Sequence, residues 1–498
     1  MGETVISRRG LLGGAAMVGA GAMTGVVAGA GAAAADVPLD TPFTPVATPH
    51  LAEAERMVQY QRLLAAGYLT EGLAGHWPLD GSAGDRSGRE HPVTLGSGAT
   101  WTTLRSGGEL SLDGTSGAYA ATGSVLDTTA PFTVSAWVRL SDDPAGPADL
   151  TSMYTAVSQD GGSASRFLLQ YDDTARTWAF KVRSEDQSTK VSAVSTTPVT
   201  KTGVWTHLTG VWDGTRIHLY VNGTLEAGAD TTLAWAATQG FNIGRARWDG
   251  AYANRFKGAV DDVRAYSRAL TAAEIALVSG RTARENNVYL VGSPATVAWG
   301  RPDDLASWVA RARCSSFMTA VLKHTYGWAN DAYYLQYFQE KVPEAADYCT
   351  AFTNGTAGPR FQRIRKVTDL RPGDLIAIDY KPGPDADPAT VNTGHIVMVR
   401  EVKGVYTGNS TVDNETQYAV EILDCTSDPH GVYGKASYAL YPDTRMVDDV
   451  NNLQGVGIGH LMVYADNASG EFARYRWSVN SGTSYTPDKR PLAAARIV

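Results

Sequence analysis

Cysteine is scarce in this chain: three residues in 498, Cys314, Cys349 and Cys425. Three cannot build a disulfide framework, and an odd number leaves a thiol over. Either Cys349 and Cys425 pair or they stay buried and reduced; in both cases Cys314 is expected to be free. A large excess of charge is also missing. The net charge of −8 is small for this length, which argues against nucleic-acid binding and against electrostatic adhesion to anionic membranes or wall polymers. Past residue 35 no stretch has 18 apolar residues in a row, so no membrane-spanning helix is expected and the mature protein should be soluble. No Cys or His cluster has the spacing of zinc ligands.

Glycine is plentiful, at 52 residues, with 43% hydrophobic and 19% charged residues. These are globular values, and the glycine suits a β-rich, turn-rich protein of two or three domains. The first 35 residues read as targeting rather than fold. Ser7-Arg-Arg-Gly-Leu-Leu-Gly-Gly14 precedes an uncharged Ala/Gly/Val/Met run, the pattern of a twin-arginine export signal, and Ala33 and Ala35 fit an A-x-A cleavage site. The expected destination is extracellular, reached by export of the folded protein. Residues 36–69 read as a Pro/Thr-rich linker and a helix over 51–68 that packs on the domain next to it in the chain.

From 70 to 282 the pattern changes to short alternating runs separated by Gly, Asp, Ser and Thr. Phe132-Thr-Val-Ser-Ala-Trp-Val-Arg-Leu140 and Ile217-His-Leu-Tyr-Val221 are examples, and Asp213-Gly214 and Asn222-Gly223 are hairpin dipeptides. Period-two alternation predicts strands with one face buried and one wet. Many short strands in about 200 residues predict a two-sheet sandwich or jelly roll. The phrases His76-Trp-Pro-Leu-Asp80, Leu112-Asp-Gly114, Leu219-Tyr-Val-Asn-Gly223 and Phe256-Lys-Gly-Ala-Val-Asp-Asp-Val-Arg264 resemble the laminin-G-like (concanavalin-type) jelly rolls. That resemblance implies a binding or accessory module, often for glycans and often with one structural calcium. Asp85 and Asp261 or Asp262 are the candidate calcium ligands, since calcium takes several oxygens; as ordinary turn residues they would cap backbone N–H groups. No Glu-x-Asp-x-x-Glu pattern occurs in 70–280, which argues against a glycosidase of this fold.

Residues 283–498 carry the chemistry. Cys314 opens an amphipathic helix whose Phe317, Met318, Val321 and Leu322 share its face. A helix N-terminus, with Arg311 and Arg313 beside it, favours thiolate. His395 opens the strand Ile396-Val-Met-Val399 and shares a face with Val397 and Val399; if that face meets the helix, His395 meets Cys314. His430 and His460 are alternatives. Asp424 ends Tyr418-Ala-Val-Glu-Ile-Leu-Asp424 on the face of Val420 and Ile422, and an inward acid there needs a partner. Glu421, Asn392 and Asp379 are its rivals as the group orienting the imidazole. The order of cysteine helix, Leu370-Arg-Pro-Gly-Asp-Leu375 turn and histidine strand resembles papain-like hydrolases of the NlpC and CHAP types. The resemblance implies an α+β domain, Cys314 as nucleophile, His395 as base, Asp424 as orienting residue, no cofactor for catalysis, and amide hydrolysis with peptidoglycan peptides as the usual substrate class. The chain departs from it in reading Arg313-Cys-Ser-Ser316 where Asp-Cys-Ser-Gly is commoner. The sequence thus predicts a multidomain protein, an all-β jelly-roll sandwich plus an α+β papain-like domain. Its partner would be peptidoglycan or an extracellular glycan or protein. The alternative is a non-enzymatic extracellular carbohydrate- or surface-binding protein with a degenerate papain-like domain.

Overall fold

The computed structural model describes residues 48–290, 294–381, 392–408, 412–431, 440–448 and 452–498. The twin-arginine motif, the A-x-A site and the linker up to residue 47 lie outside the described residues.

The alternating runs form two packed antiparallel sheets. One has the order Thr224–Asp230, Arg216–Val221, Thr206–Trp212, Phe132–Leu140, Lys257–Tyr266, Glu109–Asp113, Ala99–Thr102, with Leu73–Trp77 also paired to Lys257–Tyr266. The other runs Lys190–Val194, Thr177–Arg183, Ser165–Asp172, Tyr154–Asp160, Phe241–Ile243, Ala120–Thr122, Thr94–Leu95. Phe132, Val134, Ala136 and Leu208 from the first sheet share one core with Phe167, Leu169, Phe180 and Val182 from the second. At the Asn222-Gly223 turn both residues have positive φ, 49° and 77°, as a two-residue hairpin of this twist requires.

The expectation of a wet outer face fails in both sheets: Phe132–Leu140 and Thr206–Trp212 of the first are buried at every residue, and the second is covered further. Strands Tyr154–Asp160, Ser165–Asp172 and Thr177–Arg183 are buried along their whole length. The segment 231–255 lies over them. Ser158 donates to the Arg245 carbonyl, Trp235 Nε1 to the Arg183 carbonyl, and Arg247 N to Ser165 Oγ. Ser158 and Ser165 are therefore satisfied by a covering chain, while Arg166 and Arg183 keep buried side-chain N–H groups without a partner.

The rest of the chain is mostly β-sheet with helices on one side. Seven antiparallel strands run in the order Phe361–Ile364, Leu492–Ile497, Leu375–Asp379, Gly394–Val405, Glu415–Thr426, Gly455–Asp466, Phe472–Arg476. The tail after 430 thus completes this sheet. A small sheet joins Asn287–Tyr289, Val309–Ala312 and Thr296–Ala298. The stretch just before Cys314, Val309–Ala312, is thus a strand that leads into the Cys314 helix. Helices Cys314–Thr325 and Ala345–Asn354 pack on the large sheet through Phe317, Met318, Tyr348 and Phe352 against Ile396, Met398 and Leu423.

The helix Pro49–Ala65 does not pack on the jelly roll beside it in the chain. Leu51, Met57, Val58 and Leu64 join the core of Phe317, Val321 and Trp308. His50 donates or accepts at Tyr326 Oη (2.8 Å) and lies 2.7 Å from the Gly373 carbonyl. Gly373 has φ +90° and a Cβ there would meet Thr48 and His50, so the Gly373-Asp374 turn is the seat of this helix. The jelly roll is an insertion between a helix and the sheet that the helix belongs to.

Candidate functional site

Cys314 is the first residue of its helix and 3% exposed. Ser316, the departure from the common motif, accepts from Arg313 N at 2.9 Å and so caps the helix that carries the thiol. Arg311 is exposed, and Arg313 pairs with Glu344 at 3.2 Å. Part of the positive charge expected around Cys314 is thereby offset. A small opening reaches Cys314 between Tyr289, Arg313, Glu344, Asn392, Thr393 and Gly394.

His395 reaches Cys314 by a route other than the one its strand period suggests. Val397 and Val399 pack on the face of the sheet away from the helix, while Ile396 and Met398 meet the helix. His395 lies at the very start of its strand, beside the helix N-terminus. There Cys314 Sγ lies 3.9 Å from the Gly394 carbonyl. His395 is paired with Ile378 as the second residue of its strand; its imidazole hydrogen-bonds Asp424 and lies close enough to Cys314 for the two groups to interact electrostatically.

Asp424 does stand where the strand period puts it, on the Val420/Ile422 face. His395 Nε2 is 2.6 Å from Asp424 Oδ2, which leaves Nδ1 for the cysteine side. Of the rivals, Glu421 pairs with Arg400, Asn392 Oδ1 accepts from Gly394 N, and Asp379 accepts from Lys381 N.

The sequence does not disclose the rest of the cluster. His430 Nε2 also donates to Asp424 Oδ2 (2.9 Å), and its Nδ1 lies 2.8 Å from the Trp477 carbonyl. Arg445 Nη1 donates to Asp424 Oδ1 at 2.7 Å, while its Nε and Nη2 grip Asp443. Trp477 stands edge-on to His395 at 5.3 Å. The Asp443-Thr-Arg445 spacing is the one sequence signal for an acid–guanidinium pair, and it says nothing of Asp424.

These contacts set the electrostatics. Burial would lower the His395 pKa, but the charge of Cys314, the hydrogen bond that Asp424 accepts and the charge of Asp424 outweigh it and push it up to about 10. Burial would raise that of Asp424, but Arg445, His430 and His395 hold it well below the carboxylate range. A group with a depressed folded pKa contributes stability that is full above its ordinary value, 3.8 for Asp424, and lost as pH falls through the folded value. A raised one contributes fully below its ordinary value, 6.5 for His395, and is lost as pH rises towards about 10. The urea midpoint of this region is therefore expected to be higher at pH 5.5 than at pH 2.5 or 10. The loss between pH 5.5 and 10 should shrink in His395→Ala. Equal losses with and without His395 would refute the assignment.

Among the described residues, His395, Asp424 and His430 are the one set of three potential metal-ligand atoms within 4.8 Å of each other. The guanidinium on Asp424 opposes a further dication there. The jelly-roll aspartates do not converge. Asp85 accepts from the backbone of His76, Ser87 and His91 and from Ser87 Oγ, a turn cap. Asp262 takes His76 and Arg264. Asp261 pairs with Arg105 and keeps one buried oxygen, Oδ1, without a partner. As they stand, these three do not form a calcium cage. All three cysteines are free and buried; Cys349 faces the Pro491 carbonyl and Cys425 that of Ala312, so the buried, reduced alternative holds.

Residues 113–276 match the family model of the concanavalin A-like lectin/glucanases superfamily, Laminin_G_3, so the sandwich is a jelly-roll domain of that kind. No curated protein matches the chain. Among solved structures, domain 4 of an extracellular GH43 arabinanase from Geobacillus stearothermophilus, in complex with arabinotriose, is 22% identical. It covers 42% of this chain and 98% of its own, with a TM-score of 0.34. The binding domain of botulinum neurotoxin serotype D is 13% identical and covers 86% and 93%, with a TM-score of 0.36. The CBM40 of the Ruminococcus gnavus IT-sialidase is 16% identical and covers 30% and 84%, with a TM-score of 0.26. At such scores the likeness carries no inference about activity.

Proposed function

We propose that the region after the jelly roll is a papain-like cysteine hydrolase of amide bonds, in an exported protein whose jelly roll binds a glycan or surface partner. One observation carries this reading: a buried imidazole with Asp424 on one side and the thiol at a helix N-terminus on the other. The Cys314 thiolate attacks the amide carbonyl carbon, and the oxyanion faces the N–H groups of the first helical turn. His395 gives its proton to the leaving nitrogen as the C–N bond breaks. Water then attacks the thioester with His395 as base, the C–S bond breaks, and a carboxylic acid leaves. Asp424 keeps the ring oriented throughout. Wall peptides are the substrate class that the papain-like resemblance suggests.

A second reading makes the chain a non-enzymatic carbohydrate- or surface-binding protein. The family match falls on the jelly roll, and the access to Cys314 is narrow. Iodoacetamide labelling of Cys314, followed by peptide mass spectrometry, separates the two. In the hydrolase, labelling is fast at pH 6 and at least tenfold slower in His395→Ala. Labelling that rises only near the free thiol value of about 8.5 in both proteins would leave the binding reading standing.

A further inference from the structure

Asp424 is met by three N–H donors from three segments: His395 at a strand start, His430 in the loop after its own strand, and Arg445 in the 440–448 segment. Arg445 is 1% exposed and its guanidinium makes four hydrogen bonds. Nη1 reaches Asp424 and the Gly455 carbonyl, Nε and Nη2 form a fork on Asp443, and Asp443 also accepts from His430 N. A carboxylate held at Oδ1 by a fixed guanidinium cannot rotate its Oδ2 away from His395. The ring of His430 faces a carboxylate at Nε2 and a carbonyl at Nδ1. The buried knot thus gathers the rings of His395 and His430 and the guanidinium of Arg445 around the carboxylates of Asp424 and Asp443.

The segment bearing Arg445 is itself anchored from two sides. Thr444 N donates to the Ile458 carbonyl and Leu453 N to that of Arg445. From the jelly roll, Ser106 N donates to the Val447 carbonyl at 2.6 Å.

We propose that Arg445 is a positioning residue: by fixing Asp424 it sets the orientation of the His395 ring beside Cys314. This rests on the cysteine-site reading for its chemical consequence, though not for the orientation of His395.

The test compares the full chain with Arg445→Gln and Arg445→Lys by two readouts. The first is the 15N spectrum of the histidine rings, assigned with His395→Ala. In the parent, His395 keeps its hydrogen on Nε2, facing Asp424. In Arg445→Gln that signature gives way to a mixture of ring forms, and Arg445→Lys recovers part of it. The second is Cys314 alkylation at pH 6, expected to fall at least tenfold in Arg445→Gln and less in Arg445→Lys. If Arg445→Gln fails to fold, Arg445→Lys and Asp443→Asn, which loosens the fork, carry the comparison. Folded variants whose His395 15N shifts stay as in the parent would overturn the proposal, whatever Cys314 does. A parent protein whose Cys314 is inert at pH 6 ends the hydrolase reading, and the 15N shifts still decide for or against Arg445.

Discussion

Replacing Asp424 by alanine is expected to destabilise the C-terminal region by about 3–5 kcal/mol, the usual cost of removing one partner from a buried ionic group. Asp424 is fully buried and receives His395, His430 and Arg445. Alanine leaves three N–H donors facing an empty space. The same change to a surface acid such as Asp413, exposed in the strand connection, should cost well under 1 kcal/mol. Urea unfolding of the two variants checks this directly. An Asp424→Ala protein within 1 kcal/mol of the parent would mean that water fills the gap left by the carboxylate. Asp424→Asn separates the causes: it keeps the shape and loses the charge, so a cost near that of alanine points to charge.

Removing the helix Pro49–Ala65 should have an even larger effect. Leu51, Met57, Val58 and Leu64 are at most 1% exposed, and burial of such side chains stabilises by about 1.5–3 kcal/mol each. Four of them amount to roughly 6–12 kcal/mol, comparable with the whole stability of an ordinary domain. Gln61 also donates to the Trp308 carbonyl, and Glu55 pairs with Arg400. A fragment beginning at Thr70 is expected to keep the jelly-roll sandwich and to lose the fold of 294–498. Hydrogen exchange would show it: parent-like protection in Phe132–Leu140 and none in Gly394–Val405. Full protection of both strands in the fragment would sink the idea.

Local signals made the jelly roll legible. Alternation in Phe132–Leu140 and the Asn222-Gly223 turn each act within a few residues, enough to mark a strand and a hairpin, although the face of Phe132–Leu140 expected to be wet is buried too. Cys314, His395 and Asp424 were legible too, because a helix start, a strand start and an inward acid each have a short-range signature. What joins them was not. The strand period put His395 on the Val397/Val399 face and required that face to meet the helix, whereas it is Ile396 and Met398 that meet the helix. Arg445 lies 21 residues from Asp424, and nothing in either neighbourhood announces the other. The helix over 51–68 was readable as a helix, yet its partners Phe317 and Trp308 lie some 250 residues on. The buried outer face of Ser165–Asp172 likewise depends on the covering segment 231–255, which has no period of its own.

The insertion of the jelly roll also has a kinetic side. On the ribosome, the helix Pro49–Ala65 emerges long before its partners. The roughly 250 residues from Leu64 to Cys314 take on the order of 10–50 s at about 5–20 residues per second, and during that time its apolar face is uncovered. Folding of the roll shortens the wait in another sense. Leu73 pairs with Tyr266, so the loop between the helix and Cys314 shrinks from about 250 residues to about 50. In the loop-closure relation that saves about 1.4 kcal/mol. The first domain to fold thereby brings the two ends of the second within reach, and a mutation that slows the roll should lengthen the lifetime of a sticky, half-assembled chain.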